Sequence, residues 1–244
     1  MGMKYAGKSL GRSAMAGKIM KRLHALTAED RLVISSMVLT MGGVILGAWL
    51  AEPRTFGITA LAVISLLLGG WRVTQSRRLA WLLLFGLITG VLELWADWLH
   101  VVYFRSLVYT DDFGFRLLAS PSYMPIGWWL TVVQFGYVGL RLLERWPPWM
   151  AVGLVSVLGM VLPPWYEEFA APARAWHYMP SRLMLSHVPV WVIGAYGGCM
   201  FTMATMAWLF YRPQAWGRAV LGGIFTGAGL MFWGVFWFAW LGNR

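Results

Sequence analysis

The 244-residue chain is 59% hydrophobic and only 12% charged, with 17 tryptophans and a formal net charge of +10. That balance excludes a soluble globular domain, whose apolar interior needs a far more charged surface around it. The basic excess does not point to nucleic acid either, because Lys and Arg gather at the ends of apolar runs, where they set membrane orientation.

Residues 1–31 form a basic N-terminal segment carrying Lys4, Lys8, Arg12, Lys18, Lys21, Arg22 and Arg31. Residues 13–26 place apolar side chains at roughly helical spacing. The segment is therefore either an amphipathic surface helix on an anionic leaflet or a basic tail that fixes orientation. No A-x-A site follows the first apolar run, so a cleaved signal peptide is not expected.

Residues 32–244 read as one transmembrane domain. Seven apolar runs of about 20 residues fall near 32–51, 55–71, 79–104, 120–144, 148–165, 186–211 and 216–241. The expected fold is all-α, a polytopic membrane helix bundle of about seven transmembrane helices. The side shared by the N-terminus and the connections at 72–78, 141–147 and 212–218 carries 14 of the 20 Lys and Arg residues. The positive-inside rule then puts the N-terminus in the cytoplasm and the C-terminus outside, as in a multi-pass inner-membrane protein. Glu52, Glu93, Asp97, Asp111, Asp112, Glu167 and Glu168 fall in the outer half, with His100, His177 and His187. The two longest connections, 105–119 and 166–185, lie there too, and long loops concentrate function.

The third run contains the stretch ELWADWLH, residues 93–100. At about 100° per residue, Glu93, Asp97 and His100 share one helical face. Ionisable groups at membrane depth are costly and face a protein interior or a water-filled cavity. Glu93 lies roughly 10 Å deeper than His100, and a carboxylic acid held neutral at such depth is a proton donor. A single intramembrane Glu can equally lock helix packing; three ionisable groups on one face favour a site.

The second acidic cluster is PPWYEEFAAPARAWHY, residues 163–178. Pro163-Pro164 is expected to end the fifth span, with Glu167-Glu168 just beyond it. Neighbouring helical residues diverge, so one carboxyl of the pair faces the interior and the other faces water. Asp111-Asp112 sits beside Gly114 and reads as a solvated turn. Ser186-His187-Val188-Pro189 opens the sixth span, with Tyr196 two turns further in.

An alternative reading gathers Asp97, His100, His177 and His187 around a divalent metal, although no H-x-x-x-H or E-x-x-H spacing supports it. Tryptophans at span ends form the ordinary interfacial belt. Trp128, Trp129, Tyr137, Trp208 and Trp233 lie deeper, where ring faces can line a slot and attract a carbocation. The glycines of the last two spans read as close-packing faces. Cys199 reads as a small packing residue, with no disulfide framework around it. There is no P-loop, dinucleotide fingerprint, G-x-S-x-G or c-type haem motif.

Three pieces carry a resemblance. They are the Glu-bearing third span followed by Pro-x-Tyr-x-Pro-Ile-x-Trp-Trp at 121–129, the acidic stretch ending in Trp-x-Tyr at 167–178, and the span opened by Val188-Pro189. Together, over roughly residues 90–195, they resemble the multi-span carotenoid-modifying proteins of the carotenoid 1,2-hydratase and heterodimeric lycopene cyclase types. The hydratase type carries Asp-Pro and Phe-Gly-x-Tyr-x-Tyr, where this chain offers Glu167-Glu168 and Leu107-Val108-Tyr109. The cyclase type carries Pro-x-Glu-Glu, whereas here two aromatics separate Pro164 from the pair.

The resemblance implies acid-initiated hydration or cyclisation of a carotenoid or other isoprenoid lipid, without a cofactor. Glu93 is then the proton donor, Asp97 with Glu167 or Glu168 steadies the cation or orients water, and His100, His187 and Tyr178 complete the polar wall. The expected partners are the bilayer, the isoprenoid substrate, and further copies or subunits in the membrane. The alternatives are a metal-dependent membrane oxidoreductase on Asp97, His100, His177 and His187, and a non-catalytic subunit of a larger membrane complex.

Overall fold

The computed structural model describes residues 26–110, 115–212 and 215–242. The first 25 residues of the basic segment, with most of its candidate surface helix, and the Asp111-Asp112 pair lie outside them. The chain forms α1 (Ala28–Leu50), α2 (Arg54–Thr74), α3 (Arg77–Trp98), α4 (Met124–Leu143), α5 (Pro148–Ala170), α6 (Val190–Phe210) and α7 (Trp216–Trp237). One π-helical turn extends α3 over Leu99–Tyr103, and another extends α7 over Phe238–Gly242. All seven helices are long and apolar enough to cross a membrane, making this an all-α multi-pass protein. Helices satisfy their backbone polar groups internally, which hydrocarbon demands of any spanning segment.

Local chemistry sets several ends. Thr27 caps α1 in a reciprocal capping box with Asp30. The Ser76 hydroxyl accepts from Leu79 N to start α3. Several boundaries shift from the sequence expectation: α1 starts at Ala28 rather than 32 and α4 at Met124 rather than 120, and two further shifts bear on the site. Pro163-Pro164 does not end α5, which continues through both prolines to Ala170. Both rings are buried, and tertiary packing holds the turn that the missing N–H groups weaken. The sixth span starts at Val190 rather than Ser186, since residues 184–189 form a hairpin instead.

α3, α4, α6 and α7 pack into a four-helix core, in which α3 meets α4 and α7, and α6 meets α4 and α7. Small residues permit the close approach. A Cβ at Gly90 of α3 would lie 2.3 Å from the Pro125 carbonyl oxygen of α4, and one at Gly198 of α6 would lie 2.3 Å from the Trp233 ring of α7. Cys199 is buried in this core. α5 packs on α6, and the α1–α2 hairpin leans on α4 and α5. Gln134 of α4 ties the hairpin in by donating to Ser36 at 3.2 Å and Thr40 at 3.1 Å.

The two ends of the bundle differ. The end holding the α2–α3, α4–α5 and α6–α7 connections is knit by ion pairs: Arg141 to Asp30 and Glu144, and Arg78 to Glu144. The opposite end carries a small lid. Strands β1 (Leu107–Tyr109) and β4 (Trp176–Tyr178) pair antiparallel, while β2 (Arg116–Leu117) pairs with β3 (Ser120–Pro121), and β5 (Met184–Leu185) with β6 (Val188–Pro189).

Candidate active site

Strand alternation decides what the lid contributes. Leu107, Tyr109, Trp176 and Tyr178 face the bundle, whereas His177 is exposed on the other side of β4. Register places Leu107 opposite Tyr178 and Tyr109 opposite Trp176, so the two strands present one aromatic face downward. Beneath it lies a cavity of about 80 Å³ between α3, α4, α5, α6 and α7.

Three carboxyls line this cavity. Glu93, Asp97 and Glu167 are respectively 1%, 8% and 7% exposed, and among the described residues no Lys or Arg lines the same space. Burying unpaired charge is expensive, so each carboxyl has to be accounted for by its donors. Asp97 Oδ2 accepts from Ser120 Oγ at 2.7 Å and from the Tyr109 hydroxyl. Glu167 Oε2 accepts from Trp176 Nε1 at 2.7 Å and the Tyr178 hydroxyl at 2.9 Å, and its Oε1 accepts from the Tyr196 hydroxyl. Glu93 is different. Its Oε2 has no hydrogen-bond partner among the described residues. One turn from Asp97, it lies close enough for the two carboxyls to interact, with Trp128 beside it.

The phenols that brace these acids stay donors. Burial pushes the Tyr109 hydroxyl well above its ordinary value, with the Asp97 carboxylate adding to the effect. Burial does the same to Tyr178, reinforced by Glu167.

His100 closes one wall from the π-helical turn of α3. Its Nδ1 lies 2.9 Å from Ser106 Oγ, and its ring stacks on Trp191 at 4.7 Å between centroids. Gly234 of α7 makes the room, since a Cβ there would approach His100 Nε2 to 2.9 Å. π-turns inside helices recur at functional sites, and here the wider turn carries His100 into the cavity wall.

Of the residues singled out from sequence, Glu93, Asp97, His100, Glu167 and Tyr178 converge on this cavity. Glu168 and His187 do not. They pair with each other at 2.7 Å on the rim, where Glu168 also accepts from Ser186. The reason is that His187 sits in the β5–β6 turn rather than on α6. The residues of the metal reading do not converge: His177 is exposed, His187 is bound to Glu168, and His100 to Ser106. Among the described residues, no group of three His, Cys, Asp or Glu side chains is placed to hold a metal ion.

Of the deep aromatics, Trp128 alone lines the cavity. Tyr137 joins the ion pairs at the far end, Trp208 is exposed, and Trp233 packs on Gly198. The bracing donors Tyr109, Ser120 and Ser106 were not singled out from sequence. Tyr109 enters there only as part of Leu107-Val108-Tyr109 in the resemblance, with no role at the site.

A family model described as "Domain of unknown function (DUF6989)" matches residues 94–242, more than half of the chain. It takes in the end of α3 and everything through α7, hence the lid and every cavity residue named above except Glu93. No curated protein and no solved structure matches the sequence.

Proposed function

This chain belongs to the DUF6989 family, and we propose that it is an integral membrane enzyme performing acid-initiated hydration or cyclisation of an isoprenoid lipid, a carotenoid or a related polyene. The observation that carries the reading is the contrast among the three buried carboxyls. Asp97 and Glu167 accept hydrogen bonds from donors that favour their charged forms. Glu93 Oε2 has no hydrogen-bond partner among the described residues, which leaves that oxygen free to carry the proton.

In this scheme the Glu93 carboxylic acid delivers its proton to one carbon of a substrate C=C bond. The pair of electrons of that bond forms the new C–H bond, leaving a cation on the neighbouring carbon and a carboxylate on Glu93. The carboxylates of Asp97 and Glu167, with the ring faces of Trp128 and Trp191, lower the energy of that cation. Water then adds and loses a proton to Glu93, giving an alcohol. Alternatively, a second C=C bond of the same molecule attacks and the resulting cation loses a neighbouring proton to the Glu93 carboxylate, giving a ring with a new C=C bond. Either branch regenerates the acid and needs neither oxidant nor metal. His100 and Tyr178 orient the water or the departing proton.

Charge distribution supports placing the N-terminus and the ion-paired end in the cytoplasm and the lid outside, in the inner membrane. An isoprenoid dissolved in the bilayer would then reach the cavity sideways. The test is expression in a host that accumulates linear carotenoids, with pigments separated and weighed by mass spectrometry. Hydration appears as the gain of one water and cyclisation as unchanged mass at a new retention time. Glu93→Gln should abolish product while the protein still inserts and melts normally. Full conversion by that variant would remove Glu93 as the acid and the reading with it.

A further inference from the structure

The acid cavity, at about 80 Å³, is too small to enclose a whole isoprenoid. A second chamber of about 100 Å³ adjoins it, walled by α1, α2, α4 and α5. The two share Met124, Trp128, Glu167, Trp176 and Tyr196. The partition includes the Trp128 and Tyr196 rings, stacked at 5.3 Å and nearly parallel. Away from the partition the second chamber is lined mainly by apolar and aromatic groups, Val44, Phe56, Ala60, Leu130, Tyr123 and Tyr166. Thr40, Thr59 and Thr131 lie among them. The hydroxyls of Thr40 and Thr131 are spent on carbonyls one turn back in their own helices, so these two offer a ligand methyl-lined wall.

Gly127 of α4 supplies an independent observation. A Cβ built there meets no heavy atom within 4 Å. The same holds at Gly42, Gly69, Gly153 and Gly217, but those four lie on the exposed outside of the bundle. Gly127 is half-buried and lines the second chamber. Glycine in a helix interior costs stability relative to alanine, and no neighbour here demands its smallness. What the missing side chain leaves is chamber volume.

We propose that the second chamber is the chain-binding subsite for the ligand whose reactive end meets Glu93, and that Gly127 sets the length of isoprenoid chain it accepts. The assignment rests on the acid-chemistry reading for the identity of the ligand. The chain lies between the α1–α2 hairpin and α4, passes the Trp128–Tyr196 partition, and presents its terminal C=C bond beneath the lid. A side chain at 127 projects into that path and shortens it, without backbone strain because the position is ordinary helix.

The test is native mass spectrometry of the purified full chain with prenyl alcohols of two, three, four and more isoprene units, run in parallel with turnover assays. Wild type and Glu93→Gln should bind the long chains alike, since neither alters the chamber. Gly127→Leu and Thr131→Leu should each lose the longest chain by about tenfold or more while keeping the shortest, one isoprene unit being several buried methylenes. Two variants from successive turns guard against a folding artefact in either one. Unchanged length profiles in both variants, or no chain bound by wild type, overturn the subsite. Length-selective binding without conversion supports the subsite and removes the acid chemistry; conversion with an unshifted profile does the reverse.

Discussion

The two ends of the bundle surround their acidic residues with different partners. At the ion-paired end, Asp30 receives Arg141 Nε at 3.0 Å, Arg141 Nη2 at 3.1 Å and the Tyr137 hydroxyl at 2.8 Å. Glu144 is shared between Arg141 and Arg78. Each carboxylate there is matched by a guanidinium, and the cluster ties α1, α3 and α4 together. Beneath the lid, three carboxyls are buried with phenols, an indole and a hydroxyl for company, and with no guanidinium lining the space. Asp30 is as little exposed as Glu167, although Glu144 beside it is partly open to solvent. The partners differ: guanidinium groups meet the carboxylates at one end, and neutral donors meet them at the other.

The comparison is broken most directly at Glu93. Glu93→Gln should lower turnover by about 10²–10⁴-fold, the ordinary contribution of a positioned general acid, with the melting temperature unchanged. A comparable loss of stability would make Glu93 a staple after all. Arg141→Ala is the mirror experiment. It strands Asp30 and should cost about 2 kcal/mol, less than a fully buried pair because Arg141 is partly exposed, read as a lower melting temperature in detergent. Chain binding under the lid should survive, and its loss would show that the two ends are coupled.

Tyr109→Phe removes one of two donors to Asp97 and should cost about 1 kcal/mol. Its pH dependence has a definite sign. The phenol holds its proton more tightly in the folded state, so its contribution is fully present below about pH 10 and fades above it. The variant should flatten that alkaline loss in melting curves taken across pH, leaving the part due to Tyr178. The smallest effect is expected at Gly127→Ala, a gain of about 0.5–1 kcal/mol from helix propensity. A lower melting temperature there would show that the open space beside Gly127 is filled.

Much of the site was legible because helical spacing is rigid. The stripe of Glu93, Asp97 and His100 needed only the angle between successive residues, and the α-helix persists to Trp98 before the π-turn begins. The divergence of Glu167 and Glu168 followed from the same angle. It failed where the chain leaves helical geometry. His187 was placed on α6 because Val188-Pro189 looks like a helix start, but residues 184–189 reverse in a hairpin that turns the imidazole outward to Glu168. Pro163-Pro164 looked like a stop because propensity counts the lost backbone bonds and not the packing that holds the turn. Tyr109 and Ser120 reach Asp97 only through the fold of the lid, and nothing local distinguishes them from other loop residues.

The sequence by itself determined that the chain has seven segments long and apolar enough to span a membrane, roughly where each lies, and which acidic residues fall within or beside them. Those follow from hydropathy and from a fixed angle per residue, properties of each segment alone. Tertiary structure decided which carboxyls share a cavity, which donors each of them meets, and that a second chamber continues from the first past Trp128 and Tyr196. Those depend on pairings between segments far apart in the chain, β1 with β4 and α4 with α6, which no local pattern encodes.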